Sequence, residues 1–326
     1  MGEGCLDIAN ELSNTIQKNM IKEGCDCLIF SGGIDTTFIA LSTLGLKEKM
    51  ITVSLPGSKD LYFVNYLVKE LKLNASIYKS SEVFSEEVSE CLDVALRSLR
   101  VIDPIEIISG ITVCLALKRA KKLGCNCVAT GDGGDELFFG YNFLLDKDET
   151  YLRKWLEFVV NGAFFNSIPI SSYIGIKSFL PLYSKEAKEI SLRTPVECKI
   201  NYINGRKYGK YLLRKWILYH GIEKIALREK TPITFGSGSQ GLLDLWKEKV
   251  SLEDLKKLSK EYHINFPSRA HAYLFIRGKE MGLFNENNEK RVENACPVCG
   301  FPLINNHCKF CGAYIYNNRV YVYRDF

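Results

Sequence analysis

Two segments of this chain combine glycines, hydroxyls and carboxylates in a way that suits anion chemistry. They are Ser31-Gly32-Gly33-Ile34-Asp35-Thr36-Thr37 and Gly131-Asp132-Gly133-Gly134-Asp135-Glu136-Leu137-Phe138-Phe139-Gly140-Tyr141. In the first, the paired glycines can take positive φ and bring backbone N–H groups up to an anion with no Cβ in the way. Ser31, Thr36 and Thr37 add hydroxyl donors, and the start of a helix adds its positive dipole end. An aspartate inside such a loop repels phosphate unless a divalent cation lies between them, so Asp35 is a candidate Mg2+ ligand. The chain contains no GxxxxGK(S/T) run, which excludes a Walker loop. Taken alone, the second segment reads equally well as an Asp-capped helix after a flexible turn.

A third group is metal chemistry. Cys296-Pro-Val-Cys299-Gly and Cys308-Lys-Phe-Cys311-Gly form two CxxCG knuckles, with eight residues between Cys299 and Cys308. Four thiolates complete a tetrahedral Zn2+ site, and with all four positions filled by protein the site is structural. His307 could stand in for Cys308 but is the weaker choice. The tail Val320-Tyr-Val-Tyr-Arg324 would complete a zinc ribbon. Lys309, Arg319 and Arg324 lie close in sequence to Tyr314, Tyr316, Tyr321 and Tyr323, a composition that can stack and pair with RNA or simply pack the ribbon. Cys25/Cys27 and Cys125/Cys127 lie two apart in apolar runs and read as buried, inert thiols.

The elements that must position these groups alternate. A helix over 6–22 precedes an apolar strand from Cys25 to Phe30, and helix Thr36–Leu44, strand Ile51–Leu55, helix Phe63–Leu71 and strand Ala75–Tyr78 follow. Helices over about 82–100 and 107–123 lead to a strand from Cys125 to Thr130. Strands alternating with helices predict an α/β fold with an open parallel sheet, in which ligands bind beyond the carboxyl ends of the strands. Both glycine segments fall there. From about 150 to 290 the pattern predicts a helical lobe, with helices at Leu152–Val160, Ser184–Leu192, Lys210–Tyr219, Leu242–Tyr262 and Ala270–Met281. Asn285 to Arg291 is polar and reads as a linker. The expected organisation is 1–150, 151–290 and a small zinc ribbon at 291–326.

Composition bounds the rest. The 326 residues are 46% apolar and 25% charged, ordinary for a globular protein of two domains or more. The formal charge of +5 permits an anionic partner without requiring one. No apolar run approaches a membrane span, and Met1-Gly-Glu-Gly-Cys-Leu-Asp is not the start of a signal peptide, so a cytoplasmic location without membrane contact is expected. Oligomeric state is not legible.

The two glycine segments in this order resemble the synthetase domain of the asparagine synthetase family, part of the PP-loop (adenine nucleotide alpha hydrolase-like) superfamily. Ser31–Thr37 matches the family's SGGxDS loop with Thr36 for the usual serine, and Gly131–Tyr141 matches its G-(D/E)-G-x-D-E-L-F-x-G-Y segment. Asp103, in Val101-Ile-Asp-Pro, stands where the family keeps a second magnesium-binding aspartate. Lys210-Tyr-Leu-Leu-Arg214 resembles the K-x-x-L-R helix start. Arg228-Glu-Lys230 resembles the R-x-K loop, whose lysine offsets charge developing in the reaction. The resemblance covers about 20–240.

It implies an ATP- and Mg2+-dependent, AMP-forming ligase that adenylates a carboxylate for attack by an amine. Ser31, Gly32, Gly33, Asp35, Thr36, Thr37, Gly131, Asp132, Gly133 and Asp135 would bind the nucleotide. Asp35 and Asp103 would hold Mg2+, with Lys230 and Asp103 serving the chemistry. Thirty residues precede the first loop and Cys5 is not terminal, so glutamine hydrolysis within this chain is not expected. Arg100 occupies the place of a family Glu or Tyr, and Glu106 is a candidate for the same cleft. Two other readings stand beside the ligase. One is a tRNA-modifying enzyme of the PP-loop type that adenylates a base while the ribbon docks RNA. The other is a non-catalytic ATP-binding module whose ribbon docks a partner, protein or tRNA.

Overall fold

Short apolar runs flanked by glycine and amphipathic helices produce a sheet whose central strands are buried. The computed structural model describes residues 2–46, 48–284 and 294–325, leaving the expected linker of 285–291 outside the described residues. The chain forms two units: Met1–Ser54, Lys59–Lys79 and Ala116–Pro232 make one, and Leu55–Ser58, Ser80–Leu115 and Ile233–Phe326 the other.

In the first unit, β1 (Cys27–Ile29), β2 (Lys49–Ser54), β3 (Asn74–Lys79), β4 (Cys127–Ala129) and β5 (Lys177–Phe179) form one parallel sheet in the order β3-β2-β1-β4-β5. The register sets Ile29 beside Ile51 and Leu28 beside Ala129. β1 to β3 step outward in one direction and β4 and β5 lie on the other side, so the strand order switches between β1 and β4. β5 lies in a stretch expected to be helical. It is three residues long, too short to show alternation, and its pairing with β4 rather than local propensity makes it a strand.

Helix Gly2–Glu23 buries Ala9, Leu12, Ile16 and Met20, the one-sided spacing of an amphipathic helix. Helix Ile34–Ser42 lies in the same core, where Phe38 packs on Trp216 of helix Tyr211–Tyr219 with ring centroids 4.6 Å apart. Each large side chain buried there contributes roughly 1.5–3 kcal/mol. A hairpin of β6 (Asn201–Ile203) and β7 (Arg206–Tyr208) turns on Asn204-Gly205, both with positive φ.

The cysteines correct one expectation. Because β1 and β4 are neighbours, Cys25 reaches Cys127 and Cys27 reaches Cys125, with Cα–Cα distances of 4.3 and 6.1 Å, and both pairs are disulfides rather than free thiols. Cys5–Cys198 is a third bridge in this unit, and Cys91–Cys114 lies in the other.

In the second unit, helices Glu86–Leu99 and Arg269–Glu280 are tied by Arg277 to Asp93 at 2.9 and 2.8 Å. The single helix expected over Leu242–Tyr262 is two, Gly241–Glu248 and Leu252–Tyr262. Ser251 starts the second with a reciprocal cap: its Oγ accepts from the Asp254 N–H while Asp254 accepts from the Ser251 N–H. The ribbon ends in β8 (Tyr314–Tyr316) and β9 (Arg319–Tyr321), joined by Asn317-Asn318 with positive φ. No described helix is long and apolar enough to cross a membrane.

Candidate functional site

The two glycine segments leave the carboxyl ends of β1 and β4, at the switch in strand order. In the first, Gly32 has φ +64, and a Cβ there would press on the backbone of Phe63 and Val64 at 3.1–3.2 Å. The Gly33 carbonyl accepts from the Thr37 N–H at 2.9 Å and starts helix Ile34–Ser42. The Ser31 hydroxyl lies 3.3 Å from that of Thr36. Arg228 holds this loop from behind, donating to the Gly32 carbonyl at 2.9 Å and to the Ser31 carbonyl at 3.3 Å, with its other arm on Asp60. Burial pushes the Asp60 carboxyl up, and Arg228 pulls against that.

The second segment approaches the first directly. A Cβ at Gly134 would fall on the Asp35 carboxylate, and one at Gly131 would lie 2.9 Å from the Thr36 methyl, so only glycine permits this approach. Gly133, with φ +93, passes over Tyr183. Asp132 turns inward and accepts from Thr130 at 2.8 Å and Ser167 at 2.5 Å, bonds that brace the loop, and burial raises its pKa.

At the centre are four ionisable groups. The Lys210 Nζ lies 2.5 Å from Asp35 Oδ2 and 2.9 Å from Asp135 Oδ1, and the Lys230 Nζ lies 2.7 Å from the same Asp135 oxygen. Lys230 also sits over the Tyr141 ring at 4.2 Å. Burial disfavours the charged form of Asp135, but the two ammoniums outweigh it and hold its pKa at about 2. For Asp35 burial wins and pushes the carboxyl up, with Asp135 adding to the effect and Lys210 opposing it. Asp35 Oδ1 and the Thr37 hydroxyl are buried and make no hydrogen bond.

The structure therefore brings together Ser31, Gly32, Gly33, Asp35, Thr36, Thr37, Gly131, Asp132, Gly133, Asp135 and Lys230. Lys210 and Arg228 are site residues given no individual role from the sequence, although both lie in the K-x-x-L-R and R-x-K runs. Lys210 takes the left-handed conformation at a helix start, φ 55, and its N–H donates to the Phe138 carbonyl at 2.8 Å. Lys199, which no pattern marks, is buried behind the second segment. It lies over the Phe139 ring at 4.7 Å and donates to Ser191, which donates to the Leu137 carbonyl. Burial lowers its pKa to about 7.

Asp103 belongs to the other unit. Its Oδ1 accepts the Ile105 N–H at 3.0 Å, capping helix Pro104–Lys122, and burial pushes its carboxyl up. In the same unit the Cys296, Cys299, Cys308 and Cys311 sulfurs lie within 4.8 Å of one another, all buried, and His307 is not part of the group. The two knuckles are built alike: the Gly300 N–H donates to the Cys296 carbonyl and the Gly312 N–H to the Cys308 carbonyl, each at 2.9 Å, with both glycines at positive φ. Four converging buried thiols fit a thiophilic, tetrahedral metal.

The asparagine synthase family model matches residues 7–167. A Methanocaldococcus jannaschii protein named asparagine synthetase 1 (glutamine-hydrolyzing) is 27% identical over 192 residues, 56% of this chain and 35% of that one. Asparagine synthetase B (glutamine-hydrolyzing) of Escherichia coli K12 is 20% identical over 295 residues, 82% of this chain and 52% of that one. The chain spans about half or less of the length of these relatives. The solved structure of the U34-tRNA thiolase NcsA from Methanococcus maripaludis with its 4Fe-4S cluster covers 93% of this chain and 86% of its own, at 14% identity. Its TM-score of 0.29 is too low to carry an argument.

Proposed function

We propose that this chain, whose residues 7–167 match the asparagine synthase family model, is an ATP-dependent ligase that adenylates a carboxylate for attack by an amine. The observation that carries the reading is the meeting of Asp35 and Asp135, one from each glycine segment, on Lys210 and Lys230. In the reaction a carboxylate oxygen bonds to the α-phosphorus of ATP and the bond to the β-phosphate oxygen breaks. Pyrophosphate leaves, and the amine then displaces AMP.

The first loop and the start of helix Ile34–Ser42 offer backbone N–H groups and the Thr37 hydroxyl to the phosphates. Asp35, with an unpartnered buried oxygen, fits a Mg2+ ligand. Bound Mg2+ neutralises charge on the leaving pyrophosphate. Asp103 is assigned to magnesium on its family motif alone. Lys230 can move from Asp135 to the charge gathering at phosphorus, a role suited to a flexible ammonium. Arg228 keeps the loop in shape from behind. The tetra-cysteine group is assigned a structural Zn2+.

The test uses α-labelled ATP, Mg2+, pooled carboxylic acids and ammonium. Labelled AMP, dependent on the acid, is the expected product; labelled ADP would overturn the assignment.

A second reading rests on the ribbon. Tyr314, Tyr316 and Tyr321 are exposed on β8 and β9 beside Arg319, a face that suits RNA stacking. It makes the substrate a tRNA base rather than a carboxylate. AMP release that requires tRNA would favour it.

A further inference from the structure

The second knuckle of the ribbon is built into the loop that carries Asp103. The Ile102 N–H donates to the Phe310 carbonyl at 2.7 Å, and Phe310 lies between Cys308 and Cys311. Gly312, one residue beyond Cys311, passes so close to Asp103 that a Cβ there would fall on its carboxylate. The φ of +73 that closes the knuckle is therefore also the conformation that admits the Asp103 side chain.

The other side of the knuckle is fixed as firmly. The His271 Nε2 lies 3.0 Å from the Cys311 carbonyl, and its Nδ1 lies 2.6 Å from the hydroxyl of Ser268, the residue that caps helix Arg269–Glu280. His271 is fully buried. The Phe310 ring stacks on Phe301 of the first knuckle at 3.7 Å, and also meets Phe284, which stacks on Phe275 of that helix. The segment Cys308–Gly312 is thus held between a buried histidine and the start of helix Pro104–Lys122.

We infer that the tetra-cysteine metal site positions Asp103: metal bound by Cys308 and Cys311 fixes the knuckle, and the knuckle, through the Phe310 carbonyl and Gly312, fixes residues 101–106 as the cap that aims the carboxylate. The significance of this positioning for catalysis rests on the proposed role of Asp103 toward Mg2+, but the coupling itself does not. Without metal the four thiols are no longer bonded to a common centre, and Cys308–Gly312 rests on its Ile102, His271 and Phe310 ring contacts alone. The Phe310 carbonyl and Gly312 are then held less firmly, and the Ile102 amide opens more often. Coupling of this kind is reciprocal: whatever metal does to the Asp103 loop, the loop does to metal affinity by the same factor.

The experiment measures both directions on the full chain. Hydrogen exchange of the 101–106 amides is compared in metal-loaded protein, in protein stripped with a chelator, and after one equivalent of Zn2+ is returned. Exchange should quicken about tenfold on stripping and slow again on reloading. Unchanged exchange at 101–106, with the ribbon amides themselves exposed, overturns the proposal. Should stripping unfold the whole unit, the reverse measurement decides. Asp103→Ala, with all four cysteines intact, should bind Zn2+ about tenfold more weakly than the parent chain in equilibrium competition with a chromogenic chelator. Equal affinities overturn the coupling. Affinity that falls in Asp103→Ala while the Mg2+ dependence of ATP binding stays unchanged upholds the coupling and removes Asp103 from the magnesium site.

Discussion

The Lys210 Nζ stands 2.5 Å from Asp35 Oδ2, so an ammonium from a helix start neutralises the one carboxylate that the first loop places at the site. It reaches Asp135 as well, and so occupies the charge position that a divalent cation would compete for between two buried acids. Removing one member of a buried ionic cluster leaves uncompensated charge and costs about 3–5 kcal/mol.

Lys210→Met should therefore destabilise the protein in the absence of divalent ions. Added Mg2+ should restore part of the loss, raising Tm in the variant more than in the parent chain. Thermal melts with and without Mg2+ check this. An equal Mg2+ effect on both proteins would remove Lys210 from the cation site.

Much of this arrangement is legible in the sequence because its signals are local. Paired glycines beside Asp35 and the Gly131–Tyr141 run declare backbone shape and charge within a few residues, and the CxxCG knuckles declare their own turns. The strands Cys27–Ile29 and Cys127–Ala129 follow from apolar runs ending in glycine. What escaped depends on distant partners. Lys177–Phe179 is a strand only because β4 lies beside it, and Cys25–Cys127 is a disulfide only because β1 and β4 are adjacent. Two missed features did leave marks: Asn204-Gly205 is a hairpin turn signal, and Ser251 with Asp254 three residues on is a helix start. Nothing in the sequence marks Lys199, whose character comes wholly from burial behind the second loop.

Lys199 gives a pH signature. Its pKa falls from 10.5 in the unfolded chain to about 7 in the folded one, because burial penalises the ammonium. Between these values the unfolded state holds a proton that the folded state lacks, so this group makes stability rise with pH across that window. Below about pH 7 the folded protein carries the full cost, at most on the order of 5 kcal/mol. Lys199→Met should stabilise the protein at pH 6 and progressively less toward pH 10. Urea melts across that range test it, and a stability difference independent of pH would contradict the account.

Cysteine accounting separates bridged from free thiols. Eight cysteines lie in four disulfides and four are free. Denatured under chelation without reductant, the chain should take up four alkyl groups, and after reduction twelve. Reduction should also lower stability by about 2–4 kcal/mol for each bridge lost. Twelve alkyl groups without reductant would contradict the pairing.

The central claim is that the Asp35–Lys210–Asp135–Lys230 cluster is an ATP site that works through Mg2+. Titration calorimetry of a non-hydrolysable ATP analogue, with and without Mg2+, on the parent chain and on Asp35→Asn tests it most directly. The account predicts Mg2+-dependent binding to the parent chain and a loss of about tenfold or more in Asp35→Asn, as expected when a charged buried ligand is neutralised. Equal affinity in the two proteins, or parental binding indifferent to Mg2+, would contradict it.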